Sequence, residues 1–402
     1  MPQSPAPFFP LPDRLRRWDI FCNVIDNFGD IGVCWRLARQ LATEYGAQVR
    51  LWVDDLAAFH LICPPLDPQL SAQQIALHDS PDARRIEVCR WLPEFPACTP
   101  GDVVIEAFAC RLPNLFEEKM AACSHAPIWI NLDYLSAEDW VANCHALPSP
   151  HPRLQLTKYF FFPGFDSNSG GLLRERDLDI ARRQFRAATS DQHVFWCRLG
   201  FPPPNAGTIL VSLFAYDNPA LPALLEAWSK NDRLICLLLP PTRTQAGVEK
   251  WLGTSLPTGS RQQRGALEIR AIPFVSQPEY DQLLWLCDLN FVRGEDSFVR
   301  AQWAGVPLVW HIYPQQEEAH KAKLEAFLSR YSAGLSEQAT RAVHDLHAAW
   351  NGFSEPNDVG ISWREWQKNL PYLNEAADSW RKKLQKQEDL CAALVRFCRS
   401  KL

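Results

Sequence analysis

"LCDLNFVRGEDSFVRAQWAGVPLVWHIYPQ" (residues 286–315) reads as a strand, a short helix and a second strand. The first apolar run ends at Val292, and Gly294 permits a tight turn. A helix is expected from about Ser297 to Ala304, and Gly305 closes it before "VPLVW" opens the next strand. Two buried strands joined by a helix form a parallel crossover unit. The amides that open such a helix make an anion site, and Arg293 adds positive charge beside them. Glu295 and Asp296 suit a phosphate poorly, because like charges repel. They fit better as acceptors for sugar hydroxyls or as caps. From spacing alone, capping by Asp296 and Ser297 is as good a reading as ligand binding.

The same alternation extends in both directions. In the second half "TILVSLFAY", "DRLICLLLP" and "LEIRAIPFV" precede the opening stretch. In the first half "WDIFCNVI", "QVRLWVDD", "GDVVIEAF" and "APIWINLDYL" are strands, and the helix between the first two carries Cys34, Leu37, Ala38 and Leu41 on one face with Gly46 as its C-cap. This is α/β architecture in two domains. The proline-rich "FWCRLGFPPPNAG" marks the break. The expected division is a flexible extension at 1–17, a first Rossmann-like domain at 18–190, a linker at 191–207 and a second Rossmann-like domain at 208–365. Helices at 366–402 would return to the first domain. Residues 325–365 carry no motif.

Bulk properties exclude several classes. The chain has 402 residues, 47% hydrophobic and 22% charged, so substantial cores form. A net charge of −5 argues against a nucleic-acid binder. The 13 cysteines are dispersed and form no CxxC pair, and several, such as Cys236 and Cys287, sit in apolar runs, as reduced hydrophobes do; a reducing cytoplasm fits best. No apolar run approaches a membrane span, and the N-terminal residues do not read as a signal peptide.

Ligands of open α/β sheets bind beyond the carboxyl ends of the strands. "SLFAYDNPAL" (212–221) places Phe214 and Tyr216 there before a turn at Asp217–Pro219, and "IPFVSQPEYDQLL" (272–284) places Phe274, Gln277 and Tyr280. A lone aromatic is more often core, but several at equivalent strand ends suit a stacked nucleobase. In "VIDNFGDIG" (24–32), Asp26 and Asp30 flank a glycine where a strand yields to a helix. Locally each is an ordinary turn or cap residue. The one D-x-D string, Asp177–Asp179, reads as solvated helix surface.

Five long segments carry a resemblance: "WDIFCNVIDNFGDIGVCWRLARQL", "INLDYLSAEDW", "KYFFFPGFDSNSGGLLRERDL", "IPFVSQPEYDQLLWLCD" and "RGEDSFVRAQWAGVPLVWHIYPQ". In order and spacing the chain resembles the bacterial elongation factor P arginine rhamnosyltransferases from about residue 18 to its end. The acidic helix opening followed by Ala-Gly-x-Pro is likewise similar to nucleotide-sugar sites of GT-B glycosyltransferases. The resemblance implies a GT-B fold and inverting transfer of rhamnose from dTDP-β-L-rhamnose to one arginine of elongation factor P, relieving ribosome stalling at proline runs. It implies donor binding by Phe214, Tyr216, Phe274, Gln277, Tyr280, Arg293, Glu295, Asp296 and Ser297, with Phe274 and Tyr280 flanking the thymine. Tyr280 stands where relatives commonly carry phenylalanine. It implies Asp30 as general base and Asp26 as its partner, with no metal and no cofactor.

Other classes remain to be weighed. An NAD-dependent oxidoreductase would need a glycine-rich loop after the first strand, and no GxGxxG is present. Another GT-B nucleotide-sugar enzyme would share the donor residues without needing the paired aspartates. A non-catalytic nucleotide-sugar or translation-factor binding protein would show no turnover. Ser136 is expected to cap a helix toward Asp139, within a segment that would help seat the acceptor protein.

Overall fold

The computed structural model describes residues 10–26, 28–77, 84–314 and 318–402, which fall into two compact units. The first comprises residues 1–176 and 387–402, the second 177–386. The strands of the first are β1 (Arg17–Cys22), β2 (Gln48–Val53), β3 (Ala72–Ala76), β4 (Arg85–Arg90), β5 (Val103–Ala107), β6 (Ile128–Leu132), β7 (Pro148–Pro150) and β8 (Thr157–Phe161). They lie in the order β3-β4-β2-β1-β5-β6-β8-β7, parallel except for the antiparallel edge strands β3 and β7. The helices between these strands include α1 (Gly29–Tyr45), α2 (Leu56–Ile62), α3 (Asn114–Ala122) and α4 (Val141–Cys144).

α1 buries Cys34, Leu37, Ala38 and Leu41 as their spacing predicts, and ends at Gly46 with φ 70°. On that face of the sheet the core includes Ile20, Leu51 and Ile105. The opposite face packs Phe21, Trp52, Phe116 and Trp129.

The second unit begins with α5 (Leu178–Ala187) and α6 (Thr189–Leu199). Its sheet then runs β11-β12-β10-β9-β13-β14, formed by β9 (Ile209–Leu213), β10 (Ile235–Leu239), β11 (Arg261–Arg264), β12 (Leu267–Ala271), β13 (Leu289–Arg293) and β14 (Leu308–His311). All pairs are parallel except β11 with β12. Helices α7 (Leu221–Ser229), α8 (Arg243–Leu252), α9 (Gln277–Leu286) and α10 (Asp296–Ala304) connect the strands. Beyond them come α11 (Ala319–Tyr331), α12 (Glu337–Trp350), α13 (Asp358–Lys368) and α14 (Leu370–Gln385). The strands expected from the sequence are all present; the antiparallel edge strands carry no such signal. Trp228, Phe291, Trp350 and Trp363 join edge to face between sheet and helices.

The unit boundaries differ from the sequence expectation, and packing explains how. Residues 191–207 are not a linker: α6 occupies 189–199, and its Phe195 meets Phe185 of α5, which in turn meets Trp285 of α9. The crossing falls at 176/177, where no proline marks it. α13 and α14 also stay in the second unit, where Trp380 donates to the Gln302 side chain at 2.6 Å. Only α15 (Leu390–Arg399) returns to the first, burying Leu390, Leu394 and Cys398 in its core. Of the expected flexible extension, residues 1–9 lie outside the described residues. Leu11 and Leu15 are buried in the first core, and Trp18 donates to the Leu15 carbonyl at 2.7 Å.

Asp179 is no solvated surface residue. It pairs with Arg182, Arg183 and Arg381, the last at 2.7 Å. Burial opposes its charge, but Arg381 and Arg182 outweigh that and hold its carboxyl below the usual range. No helix among the described residues is long and apolar enough to cross a membrane.

Candidate functional site

In the second unit the predicted aromatic and charged residues gather at the strand ends. Arg293 is the last residue of β13, and its side chain is 6% exposed in the residue average. Its guanidinium lies 4.5 Å from the Phe214 ring centre and 4.8 Å from that of Tyr216. Among the described residues no carboxylate forms an ion pair with it, so aromatic faces supply its contacts. A buried cation held this way lacks a counter-ion among the described residues, a place that an anionic group would fill.

The start of α10 adds backbone amides to that anion site. Its N-cap, Glu295, makes no side-chain cap, and Asp296 lies one residue inside the helix. The Ser297 hydroxyl donates to the Arg293 carbonyl and accepts the Arg293 amide at 3.1 Å, which fixes the turn through Gly294 (φ 56°). Ser297 thus orients Arg293 and the helix start through the backbone. Gln277, the first residue of α9, donates to Asp296 at 3.4 Å. α9 opens with a capping box between Ser276 and Glu279.

Tyr280 meets Phe214 at 5.8 Å, with the rings inclined by 60°. Its hydroxyl is enclosed beside Ser297, and burial pushes its pKa up. Phe274, in the loop after β12, is 37% exposed. All nine residues expected on the donor side therefore lie at strand ends, in the loops that follow them or at helix starts of one unit.

Two residues there had not been singled out. Tyr313 follows β14, is 43% exposed and meets Tyr216 edge-on at 5.6 Å. His311 pairs in register with Arg293 and meets Tyr216 at 5.2 Å. Burial, then the charges of Arg293 and His320, push its pKa down to about 3, so it stays neutral beside the arginine. The strand-end position that identified Phe214 and Tyr216 applies equally to "WHIY". The motif-free 325–365 region supports this end of the sheet: Asn351, beyond α12, accepts the Ile312 amide at 3.0 Å and donates to the Trp310 carbonyl at 2.8 Å.

In the first unit Asp26 and Asp30 bracket the start of α1; Asn27 lies outside the described residues. Asp30 is 3% exposed, and one of its oxygens accepts the amides of Ile25 at 2.9 Å and Asp26 at 2.8 Å. The Tyr134 hydroxyl also donates to this carboxylate. Burial raises the Asp30 pKa above the usual carboxylate range; the two amides and the tyrosine offset part of this, and the Asp54 charge adds to it. Asp54 follows β2 and holds the same loop, accepting the Val24 amide at 2.9 Å and the Asn23 side chain at 3.0 Å. Asp30 is not a helix cap: as the second residue of α1 it lies inside the helix, and its carboxylate anchors the loop before it with a raised pKa.

Gly29 lets Asp26 approach the helix. A Cβ at this position would lie 2.7 Å from the Asp26 Oδ2. Ser136 does not cap a helix toward Asp139. Its hydroxyl donates to Glu138 at 2.9 Å and accepts the Glu138 amide, and α4 begins only at Val141. Among the described residues no group of three or more His, Cys, Asp or Glu side chains could hold a metal ion.

Comparison with known proteins gives the family of the chain. The model of the Elongation-Factor P (EF-P) rhamnosyltransferase EarP family matches residues 18–399. The chain belongs to the EarP family. Protein-arginine rhamnosyltransferases of Pseudomonas putida and Pseudomonas aeruginosa are each 48% identical to it, over 96% and 94% of this chain and 99% and 98% of theirs. A solved structure described as "Structural basis for EarP-mediated arginine glycosylation of translation elongation factor EF-P" is 37% identical, with a TM-score of 0.67 over 96% of this chain and 99% of that one. The two parallel-dominated α/β sheets of this EarP-family protein are those of the GT-B class.

Gly29→Ala tests the Asp26 geometry. The added methyl displaces the carboxylate; turnover is expected to fall roughly tenfold or more while the melting temperature holds, as follows where a carboxylate positions the substrate. Steady-state kinetics beside thermal unfolding measure this; unchanged turnover would show that the placement of Asp26 is immaterial.

Proposed function

We propose that this protein transfers L-rhamnose from dTDP-β-L-rhamnose to a single arginine of elongation factor P, with inversion at the anomeric carbon. The observation that carries the reading is the carboxylate pair at the start of α1, with Asp30 buried and its pKa raised. An arginine acceptor is a poor nucleophile, protonated and delocalised with a pKa above ~12. A carboxylate pairs with the guanidinium fork and takes a proton as the nitrogen attacks.

Asp30 serves as that base, and Asp26 orients the guanidinium and stabilises positive charge on the sugar. One bond forms between the guanidinium nitrogen and the anomeric carbon. One breaks between that carbon and the phosphate oxygen, so dTDP leaves with the bonding pair while the proton passes to Asp30. A single displacement turns the β-linked donor into an α-linked product without a covalent enzyme intermediate.

On the donor side, Arg293 and the opening amides of α10 meet the diphosphate. Phe274 and Tyr280 sandwich the thymine, with Phe214, Tyr216 and Gln277 completing the pocket. Glu295 and Asp296 accept hydrogen bonds from sugar hydroxyls, and Ser297 holds the turn that aims Arg293. The leaving group is stabilised by these donors and needs no metal. The modification activates elongation factor P to relieve ribosome stalling at polyproline. The dispersed, unpaired cysteines support a reducing cytoplasm as its location.

Mass spectrometry of elongation factor P after incubation with enzyme and dTDP-rhamnose tests the reading. One deoxyhexose is expected on one arginine, and Asp30→Asn abolishes the addition. An unchanged mass with wild-type enzyme contradicts the transfer, and near-normal turnover by Asp30→Asn removes the base assignment. The same assay with excess EDTA is expected to give the parent rate. Loss that magnesium restores would contradict metal independence.

A further inference from the structure

Beyond the two aspartates, the first unit builds a support for one of them. Tyr134 is the second residue after β6. Its backbone is fixed by Asp133, which accepts the Tyr134 amide at 2.8 Å and donates its own amide to the Phe161 carbonyl at 2.9 Å. Its ring stacks on Phe108 at 4.6 Å with an inclination of 20°.

Phe108 follows β5, the strand paired with β6, and its amide donates to the Leu132 carbonyl at 2.7 Å. Phe108, Ala109 and Arg111 all take left-handed backbone angles, with φ of 56°, 55° and 54°. Three such non-glycine residues within four positions are costly and persist only where contacts over-determine them. Here Glu106 accepts the Arg111 amide at 3.0 Å, and the Cys110 thiol donates to the Phe21 carbonyl at 3.4 Å. The strained loop delivers a flat aromatic face to Tyr134, whose hydroxyl reaches Asp30.

We propose that Tyr134 is the positioning residue of the Asp30 carboxylate: clamped between Phe108 and Asp133, it donates its hydroxyl to Asp30 and fixes the direction in which the base faces its acceptor. This rests on the reading of Asp30 as the base. The groups around that carboxylate are Asp26 on its own loop, Asp54 after β2, Cys22 at the end of β1 and the Tyr134 hydroxyl. Cys34 of α1 adjoins Cys22, and no cationic side chain pairs with Asp30 among the described residues. With acidic neighbours and no counter-ion, the hydroxyl and the two loop amides are what stabilise the ionised form.

The sign of the pH effect follows. A hydrogen bond to the ionised form lowers a carboxyl pKa, so removing it raises the pKa further. A base must be ionised, so activity falls as pH drops through that pKa. Without the hydroxyl, the acid limb of kcat/KM moves to higher pH.

Tyr134→Phe removes the hydroxyl and keeps the ring stack. Two readouts are compared with the parent: the pH profile of rhamnose transfer, and the titration of the Asp30 carboxyl by 13C NMR of aspartate-labelled enzyme. The proposal expects both to move to higher pH by about one unit, as befits loss of one hydrogen bond to a charged group. It also expects a lower plateau in kcat with unchanged dTDP affinity. An Asp30 titration that superimposes on the parent overturns the positioning role. A carboxyl that shifts while the rate profile stays put supports the Tyr134–Asp30 link and instead overturns Asp30 as the base.

Discussion

A buried charge without an opposite charge beside it is the constraint on which both sites depend. Each unit also holds a buried pair that is fully matched, and the contrast is informative. In the first, Arg50 grips Asp19 with two hydrogen bonds of 2.6 and 3.0 Å, and Trp52 and the Gly101 amide complete the carboxylate. In the second, Arg300 grips Asp281 at 2.8 and 2.7 Å between α10 and α9. Those pairs are internally neutral and hold helices and strands together. Asp30 and Arg293 have no such partner among the described residues, and both lie where strands give way to helices. The fold tolerates them by other means: backbone amides and a tyrosine hydroxyl for the carboxylate, two aromatic faces for the guanidinium.

That division explains why the two halves bear different chemistry on similar sheets. The cationic, aromatic strand ends of the second unit suit a nucleoside diphosphate, which brings negative charge and a flat base. The acidic helix start of the first suits a guanidinium, which brings positive charge and a proton to give up. Sheet topology supplies the location in each case. In the proposed function, the sign of the charge left unmatched assigns the ligand of each unit.

Much of this was legible in the sequence because it is local. The run from Trp18 to Cys22 and the spacing of Cys34, Leu37, Ala38 and Leu41 define a strand and helix with no tertiary information. Arg293, Gly294 and Gly305 likewise delimit a turn and a helix. The unread features depend on partners distant in sequence. Tyr134 acquires meaning only when β5 and β6 pair and set it against Phe108 and Asp30. Asp179 looked solvated because Arg381 is 202 positions away. The proline stretch at 202–204 suggested a linker, whereas the crossing lies in ordinary residues near 176 and depends on what α5 and α6 bury. The local cap reading of Asp30 fails, because its carboxylate holds two amides of the preceding loop rather than amides of its own helix.

The central claim is that nucleotide binding belongs to the aromatic strand ends of the second unit and proton transfer to the carboxylates of the first. Calorimetric titration of dTDP into wild-type, Asp30→Asn and Phe274→Ala enzymes tests it most directly. The account predicts that Asp30→Asn binds dTDP within about twofold of wild type. Phe274→Ala is predicted to bind about tenfold or more weakly, as loss of a base-stacking ring entails. Loss of dTDP binding in Asp30→Asn, or wild-type affinity in Phe274→Ala, would contradict it.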